Sequence, residues 1–171
     1  RPNILRVPVF GLGCAGGVSG LALGSQLARA NPGSVVLVLA VELCSLWFHQ
    51  DTLTKANIVA SALFGDGAAA AVLTTAKGSD HTIVGTGVQH TWPSTLEIMG
   101  WEVSNNGLEV IFDRDIPPFI RRQIAPVVNN FLKELNLTRD AVVRFGFHPG
   151  GKKVLEALEA ALAIKPGSLD V

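Results

Sequence analysis

Two side chains in this sequence have the chemistry of a nucleophile and a base, and each lies where a loop is predicted to enter a helix. Cys14 lies in FGLGCAGGVSGLALG, residues 10–24, where an apolar helical pattern begins. Unpaired N–H groups and the positive dipole end at a helix N-terminus favour thiolate over thiol, which predicts a pKa below the free value of about 8.5. A small buried cysteine packed beside glycine explains the same residues equally well.

The glycines around Cys14 need an explanation of their own. Glycine inside a helix costs roughly 1 kcal/mol relative to alanine. The glycines at positions 11, 13, 16 and 17 therefore indicate that backbone or substrate comes close to this segment.

His148 is the candidate base, and it lies in FGFHPGGKKV, residues 145–154. A histidine at the C-terminal end of a buried strand is well placed to face a crevice. There it could polarise a carbonyl or pair with a thiolate. Taken alone, a histidine with satisfied hydrogen bonds in a turn is the simpler explanation. Together, Cys14 and His148 predict a Cys–His arrangement.

Alternating helices and strands must position these two side chains. The pattern predicts helices over 15–30, part of 52–64, 116–135 and 150–163, and strands over 34–41, 68–74, 83–91, 99–103, 108–112 and 142–147. The run SVVLVLAV at 34–41 is typical of a strand buried on both faces, and SNNG at 104–107 predicts a hairpin turn. The predicted class is α/β with a mixed sheet. A polar segment, 75–80, marks a boundary between a first half, 1–75, and a second half, 81–171.

Composition excludes several classes of function. The 171 residues have a formal net charge of zero, 48% are hydrophobic and 16% are charged. This balance favours a packed core, and it lacks the basic footprint of a nucleic-acid-binding protein. No run approaches the roughly 18 apolar residues of a membrane helix. Cys14 and Cys44 form neither a disulfide framework nor a zinc pattern, so we predict no metal site and expect a reducing cytoplasm.

Four segments together resemble the type III polyketide synthases, which are the chalcone and stilbene synthase family. They are RVPVFGLGCAGGVSGL at 6–21, ALFGDGAAAAVL at 62–73, GLEVIFDRDIP at 107–117 and FHPGG at 147–151. HPGG is the most discriminating, and the resemblance covers essentially the whole chain. It implies a thiolase-like fold of αβαβα layers with mixed sheets, incomplete in this chain.

The resemblance also implies roles for individual residues. Cys14 would take an acyl group from a coenzyme A thioester. His148 would stabilise the thiolate and then hold the thioester oxygen of malonyl-CoA during decarboxylation. Phe64 matches the gatekeeper phenylalanine between the coenzyme tunnel and the cavity. The family binds no permanent cofactor: its partners are acyl-CoA, malonyl-CoA and, in the complete protein, a second copy in a homodimer.

Two departures from the plant pattern indicate the bacterial members of the family. A second gatekeeper phenylalanine corresponds to Val110, where a branched aliphatic side chain leaves more room. A small polar residue that lines the cavity of plant members corresponds to Trp47. The third catalytic residue of the family, an asparagine beyond the histidine, has no counterpart before Val171. We therefore expect an internal fragment of a longer synthase, unstable when isolated.

Three other functions stay open at this point. One is a ketoacyl synthase III-like condensing enzyme that uses acyl carrier protein, since GCAGG would serve either family. Another is a catalytically incomplete fragment that only packs with a partner. The last is a thiol redox protein using Cys14 and Cys44, which the absence of a C-x-x-C motif disfavours.

Overall fold

The computed structural model describes residues 2–47, 55–78, 80–105 and 107–169. The described helices are α1 (Gly16–Ala30), α2 (Lys55–Leu63), α3 (Ile116–Glu134) and α4 (Lys152–Leu162), and the strands are β1 (Val35–Glu42), β2 (Gly67–Thr74), β3 (Met99–Ser104) and β4 (Gly107–Phe112). These elements confirm the α/β class, the hairpin and the helices; residues 52–54 of the predicted second helix lie outside the described residues. The chain divides into two compact units.

Unit 1 comprises Arg1–Leu43 and Asp66–Gln89. In it α1 packs on an antiparallel pair of strands, with Val35 of β1 opposite Thr74 of β2 and Glu42 opposite Gly67. The buried face of α1 consists of small residues: Gly24, Ser25 and Ala28. Small side chains let the helix axis approach the sheet, so β-branched residues of β1 fill the space between them.

The face of β1 opposite α1 corrects one expectation. Exposure alternates along the strand, and Val35 and Leu39 are 70% and 63% exposed, whereas their neighbours toward α1 are half-buried. The prediction that β1 is buried on both faces is therefore wrong for the described residues. Among the described elements, α1 is the helix that packs on this pair of strands, and one helix can cover only one face of a sheet.

Unit 2 comprises Cys44–Gly65 and His90–Val171. Its strands β3 and β4 form an antiparallel hairpin, with Met99 opposite Phe112 and Ser104 opposite Gly107. Helices α3 and α4 pack together and supply the buried leucines at positions 132, 155, 158 and 162. Helix α3 begins with two prolines in its first turn, where no intrahelical N–H partner is lost.

Two predicted strands, 83–91 and 142–147, are not paired as strands in the described structure. Ser25 and Arg29 of α1 both donate to the carbonyl of Val84, so side chains rather than a neighbouring strand hold the first segment. In the second, Phe145 and Phe147 stack with ring centroids 5.7 Å apart. Both predictions are wrong here because an apolar pattern identifies a segment suited to a sheet but supplies no hydrogen-bonding partner.

The two sheets that the described residues form are both antiparallel, so the predicted mixed sheet is not seen in them. The division of the chain at 75–80 concerns the two halves of a thiolase-like fold, and it stays a prediction.

Candidate functional site

Cys14 lies at the entrance to α1, as the sequence predicts. It is the middle residue of a 3-10 turn, Gly13–Ala15, that runs directly into the helix. Gly13 has φ +50°, a left-handed conformation that other residues adopt only at a cost, and the N–H of Ala15 donates to the carbonyl of Leu12 at 3.1 Å. The side chain of Cys14 is exposed, and no disulfide joins it to Cys44. A thiol in this position is accessible to a substrate.

The glycines of this segment fall into two groups. A Cβ atom added at position 16 or 17 would meet nothing within 4 Å. At Gly24, by contrast, an added Cβ would lie 2.6 Å from Cγ2 of Val38 and 2.9 Å from Cδ1 of Leu73. Gly16 and Gly17 therefore leave open space beside Cys14, whereas Gly24 lets α1 lie close on β1.

His148 lies in the loop before α4, where its side chain is exposed. The N–H of Gly150 donates to the carbonyl of His148 at 2.9 Å, which makes a tight turn. An added Cβ at position 150 would lie 3.5 Å from Cδ2 of the imidazole, so the ring stands beside this glycine. Gly151, with φ +132° and ψ 151°, then directs the chain into α4 without a side-chain cap. This backbone conformation is essentially restricted to glycine.

The opposite end of α4 is held by a buried carboxylate that sequence reasoning missed. Glu159 is only 5% exposed, and its two oxygens accept the N–H groups of Gly167 and Leu169, each at 3.0 Å. These backbone N–H groups, with that of Ser168, lower the pKa of Glu159 against the opposing effect of burial. In addition, Arg139 donates to the carbonyl of Leu162 at 2.8 Å. The hydrophobic stripe of α4 gave no signal for this polar anchor.

Phe64 and Val110, the predicted gate residues, belong to the same unit. Phe64 directly follows α2, and its N–H donates to the carbonyl of Ala60 at 2.8 Å. Its ring meets that of Phe112 edge to face, with centroids 6.4 Å apart and an interplanar angle of 82°. Phe112 lies two residues after Val110 on β4, so both project from one face of the strand.

The remaining site predictions divide between the units. Cys14 belongs to unit 1, whereas Trp47, Phe64, Val110 and His148 belong to unit 2. Trp47 ends the 3-10 turn Cys44–Trp47, but its side chain lies outside the described part of the chain. The pairing of Cys14 with His148 stays a prediction.

The described residues contain neither a metal-binding cluster nor a membrane-spanning helix. No group of three potential metal-ligating side chains occurs among them. None of their helices has both the length and the apolar content needed to cross a bilayer.

Comparison with known proteins identifies the family. A family model for the N-terminal domain of chalcone and stilbene synthases matches residues 1–77. The 1,3,6,8-tetrahydroxynaphthalene synthase of Streptomyces peucetius subsp. caesius is 40% identical over 99% of this chain and 46% of its own length. This chain belongs to the type III polyketide synthases.

Other relatives show how far the similarity extends. Type III polyketide synthase 21 of Oryza sativa subsp. japonica is 30% identical, so the bacterial enzyme is the more similar of the two. The crystal structure of the C-terminal type III polyketide synthase domain of Steely1 from Dictyostelium matches with a TM-score of 0.83 and 30% identity, over 97% of this chain and 48% of that one. The chain thus spans slightly less than half the length of each of these relatives.

Proposed function

We propose that this protein is an acyltransferase that extends a coenzyme A-linked starter by decarboxylative condensation with malonyl-CoA. The observation that carries the proposal is the exposed thiol of Cys14, at the entrance to α1 and beside glycines with open space around them, in a chain of the type III polyketide synthase family. A bulky thioester needs this clearance to bring its carbonyl carbon to the sulfur.

In the first step, the thiolate of Cys14 attacks the carbonyl carbon of an acyl-CoA. A C–S bond forms to Cys14, the C–S bond to coenzyme A breaks, and the released coenzyme A thiolate takes up a proton. His148 stabilises the Cys14 thiolate before the attack, because an imidazole N–H can donate a hydrogen bond to the anion.

In the second step, malonyl-CoA loses carbon dioxide and becomes a carbanion. His148 donates a hydrogen bond to the thioester oxygen, where negative charge develops. The carbanion then attacks the acyl group on Cys14, a C–C bond forms, and the thiolate of Cys14 leaves. The product is a coenzyme A thioester that is two carbons longer.

Three side chains govern which acyl groups enter. Phe64, Val110 and Trp47 line the passage and the cavity in this proposal, and the half-buried state of Phe64 and Val110 in unit 2 supports it for those two. The complete protein would have the αβαβα layers of the thiolase-like fold and would act as a homodimer without a permanently bound cofactor.

The test uses the full-length protein and its two cysteines as a matched pair. After incubation with acyl-CoA, mass spectrometry should find the acyl group on the peptide that contains Cys14 in the wild type and in Cys44→Ser, but not in Cys14→Ser. With labelled malonyl-CoA, His148→Gln should lose about 10²- to 10⁴-fold in turnover, the range for a positioned acid–base group.

Two results would contradict the proposal. Equal loss of loading in Cys44→Ser and Cys14→Ser would favour thiol redox chemistry over acyl transfer. Extension by malonyl-acyl carrier protein but not by malonyl-CoA would favour a ketoacyl synthase III-like enzyme.

A further inference from the structure

The aromatic contact between Phe64 and Phe112 involves a residue that the proposed gate does not include. Phe64 continues the last turn of α2, and Phe112 is the last residue of β4. Their rings meet edge to face at 6.4 Å, within the range preferred by aromatic pairs. Helix α2 packs on β4, so this contact lies where the two elements meet.

The register of the hairpin places Phe112 on the same face as Val110. Antiparallel pairing sets Met99 opposite Phe112 and Trp101 opposite Val110. Residues directly opposite each other share one face of a sheet, so this face is apolar along its length. An aromatic ring is thus present two residues beyond the position where a gate phenylalanine is expected.

The side chains on this face of the hairpin are more exposed to solvent than those of a protein core. Phe64, Val110 and Phe112 are half-buried, whereas Met99 and Trp101 are 44% and 39% exposed. An aromatic pair that served only to fill a core would be expected to be as buried as the leucines of α4, which are 3–7% exposed. This pair borders an accessible apolar surface that an acyl chain could contact.

We infer that Phe112 is a positioning residue for acyl-chain specificity: its ring holds Phe64 in the orientation that limits the length of the acyl group admitted. The inference rests on the proposed function of Phe64 as the gate. A phenylalanine has two side-chain torsions, and an edge-to-face neighbour restricts both. Leucine at position 112 would retain bulk but remove the edge-to-face contact with Phe64, which weakens the restriction on the orientation of that ring.

The experiment compares starters of different length on the full-length protein. For wild type and Phe112→Leu, kcat/KM is measured with acetyl-CoA, hexanoyl-CoA and dodecanoyl-CoA, and loading on Cys14 is followed by mass spectrometry. We expect the ratio of dodecanoyl to acetyl kcat/KM to rise about tenfold in Phe112→Leu, the lower end of what one pocket contact supplies. Phe112→Tyr retains the ring and should keep the wild-type ratio.

A matched control separates specificity from stability. Phe119 is also half-buried in unit 2 and forms an edge-to-face pair, with Trp92 at 5.3 Å. Phe119→Leu should therefore perturb packing to a similar degree and leave the starter ratio unchanged. If Phe112→Leu does not fold, Phe112→Met removes the ring with a flexible side chain of similar volume and serves in its place.

A double variant tests whether Phe112 acts through Phe64. The starter ratio of Phe64→Leu/Phe112→Leu should equal that of Phe64→Leu alone, because the ring that Phe112 positions is already absent. Additive effects would overturn the inference. An unchanged ratio in folded Phe112→Leu, with normal loading on Cys14, would also overturn it and leave the proposed function intact. Absence of loading in the wild type would instead overturn the proposed function.

Discussion

The loops that carry Cys14 and His148 are built from similar small residues but are held in different ways. Cys14 lies in a 3-10 turn that runs directly into α1, and α1 is fixed by close contact of Gly24 with β1. His148 lies four positions before α4, and the backbone conformation of Gly151 directs the chain from one to the other. The thiol is therefore positioned by helix–sheet packing, whereas the imidazole is positioned by one glycine.

The largest stability effect should come from Gly24→Ala, which tests the packing half of this comparison. The added Cβ would approach Val38 to 2.6 Å, and β-branched valine has little rotameric freedom to move aside. Overpacking of this kind costs about 1–3 kcal/mol, which exceeds the 0.4–1 kcal/mol or so gained by reducing the entropy of the unfolded chain. We expect a lower melting temperature and slower acyl loading on Cys14.

Gly17→Ala is the matched control for that variant. The same methyl group would meet nothing within 4 Å there. The substitution then acts only by reducing the entropy of the unfolded chain, and we expect it to stabilise the protein by about 0.4–1 kcal/mol. Denaturant unfolding of both variants measures the difference. If Gly24→Ala were as stable as Gly17→Ala, close packing of α1 on β1 could not be what fixes the entrance to the helix.

The second effect tests the other half of the comparison, at Gly151. Alanine at φ +132° and ψ 151° costs about 1–3 kcal/mol, and the loop can relieve that strain by turning His148 away. We expect Gly151→Ala to lower turnover more than it lowers acyl loading, since decarboxylation depends on the imidazole. In Gly150→Ala the Cβ would make an ordinary 3.5 Å contact with the ring, so its turnover should stay near that of the wild type. Equal turnover in the two variants would contradict the assignment.

Much of the fold was predictable because local patterns determine it. The apolar stripe with a proline and glycine after it predicts α4, and turn residues between two apolar runs predict the pairing of β3 with β4; the helix and the strand pair form as predicted. Segments 83–91 and 142–147 show what such patterns omit, since strand formation depends on a partner distant in sequence. For the same reason, exposure of one face of β1 could not be predicted from residues 34–41 alone.

The candidate site also contains residues that a local pattern identifies and residues that depend on partners distant in sequence. The positions of Cys14 and His148 ahead of helices were predictable, because small residues and a following helical pattern mark each segment; their catalytic roles stay predictions. Phe112 could have been found from the period-two spacing after Val110, although its contact with Phe64 joins positions 48 residues apart and needs the packing of α2 on β4. The carboxylate of Glu159 has no local signal, because its partners are backbone N–H groups of a later turn.

The smallest effect concerns the end of α4 remote from His148, where a carboxylate rather than a glycine fixes the chain. The backbone N–H groups of Gly167 and Leu169 lower the pKa of Glu159. Its charged form therefore stabilises the fold at pH values above the ordinary glutamate pKa of about 4.3. This stabilisation is lost as the pH falls through the lowered pKa of Glu159. Amide exchange at residues 167 and 169 should be slow at neutral pH and faster in Glu159→Gln, with the difference shrinking below about pH 4.3. Glu156 is exposed on the same helix, so Glu156→Gln should not change this exchange. Protection that persisted unchanged in Glu159→Gln at neutral pH would mean that the turn at 167–169 holds itself without the carboxylate, and that Arg139 and the backbone conformation fix this end of α4.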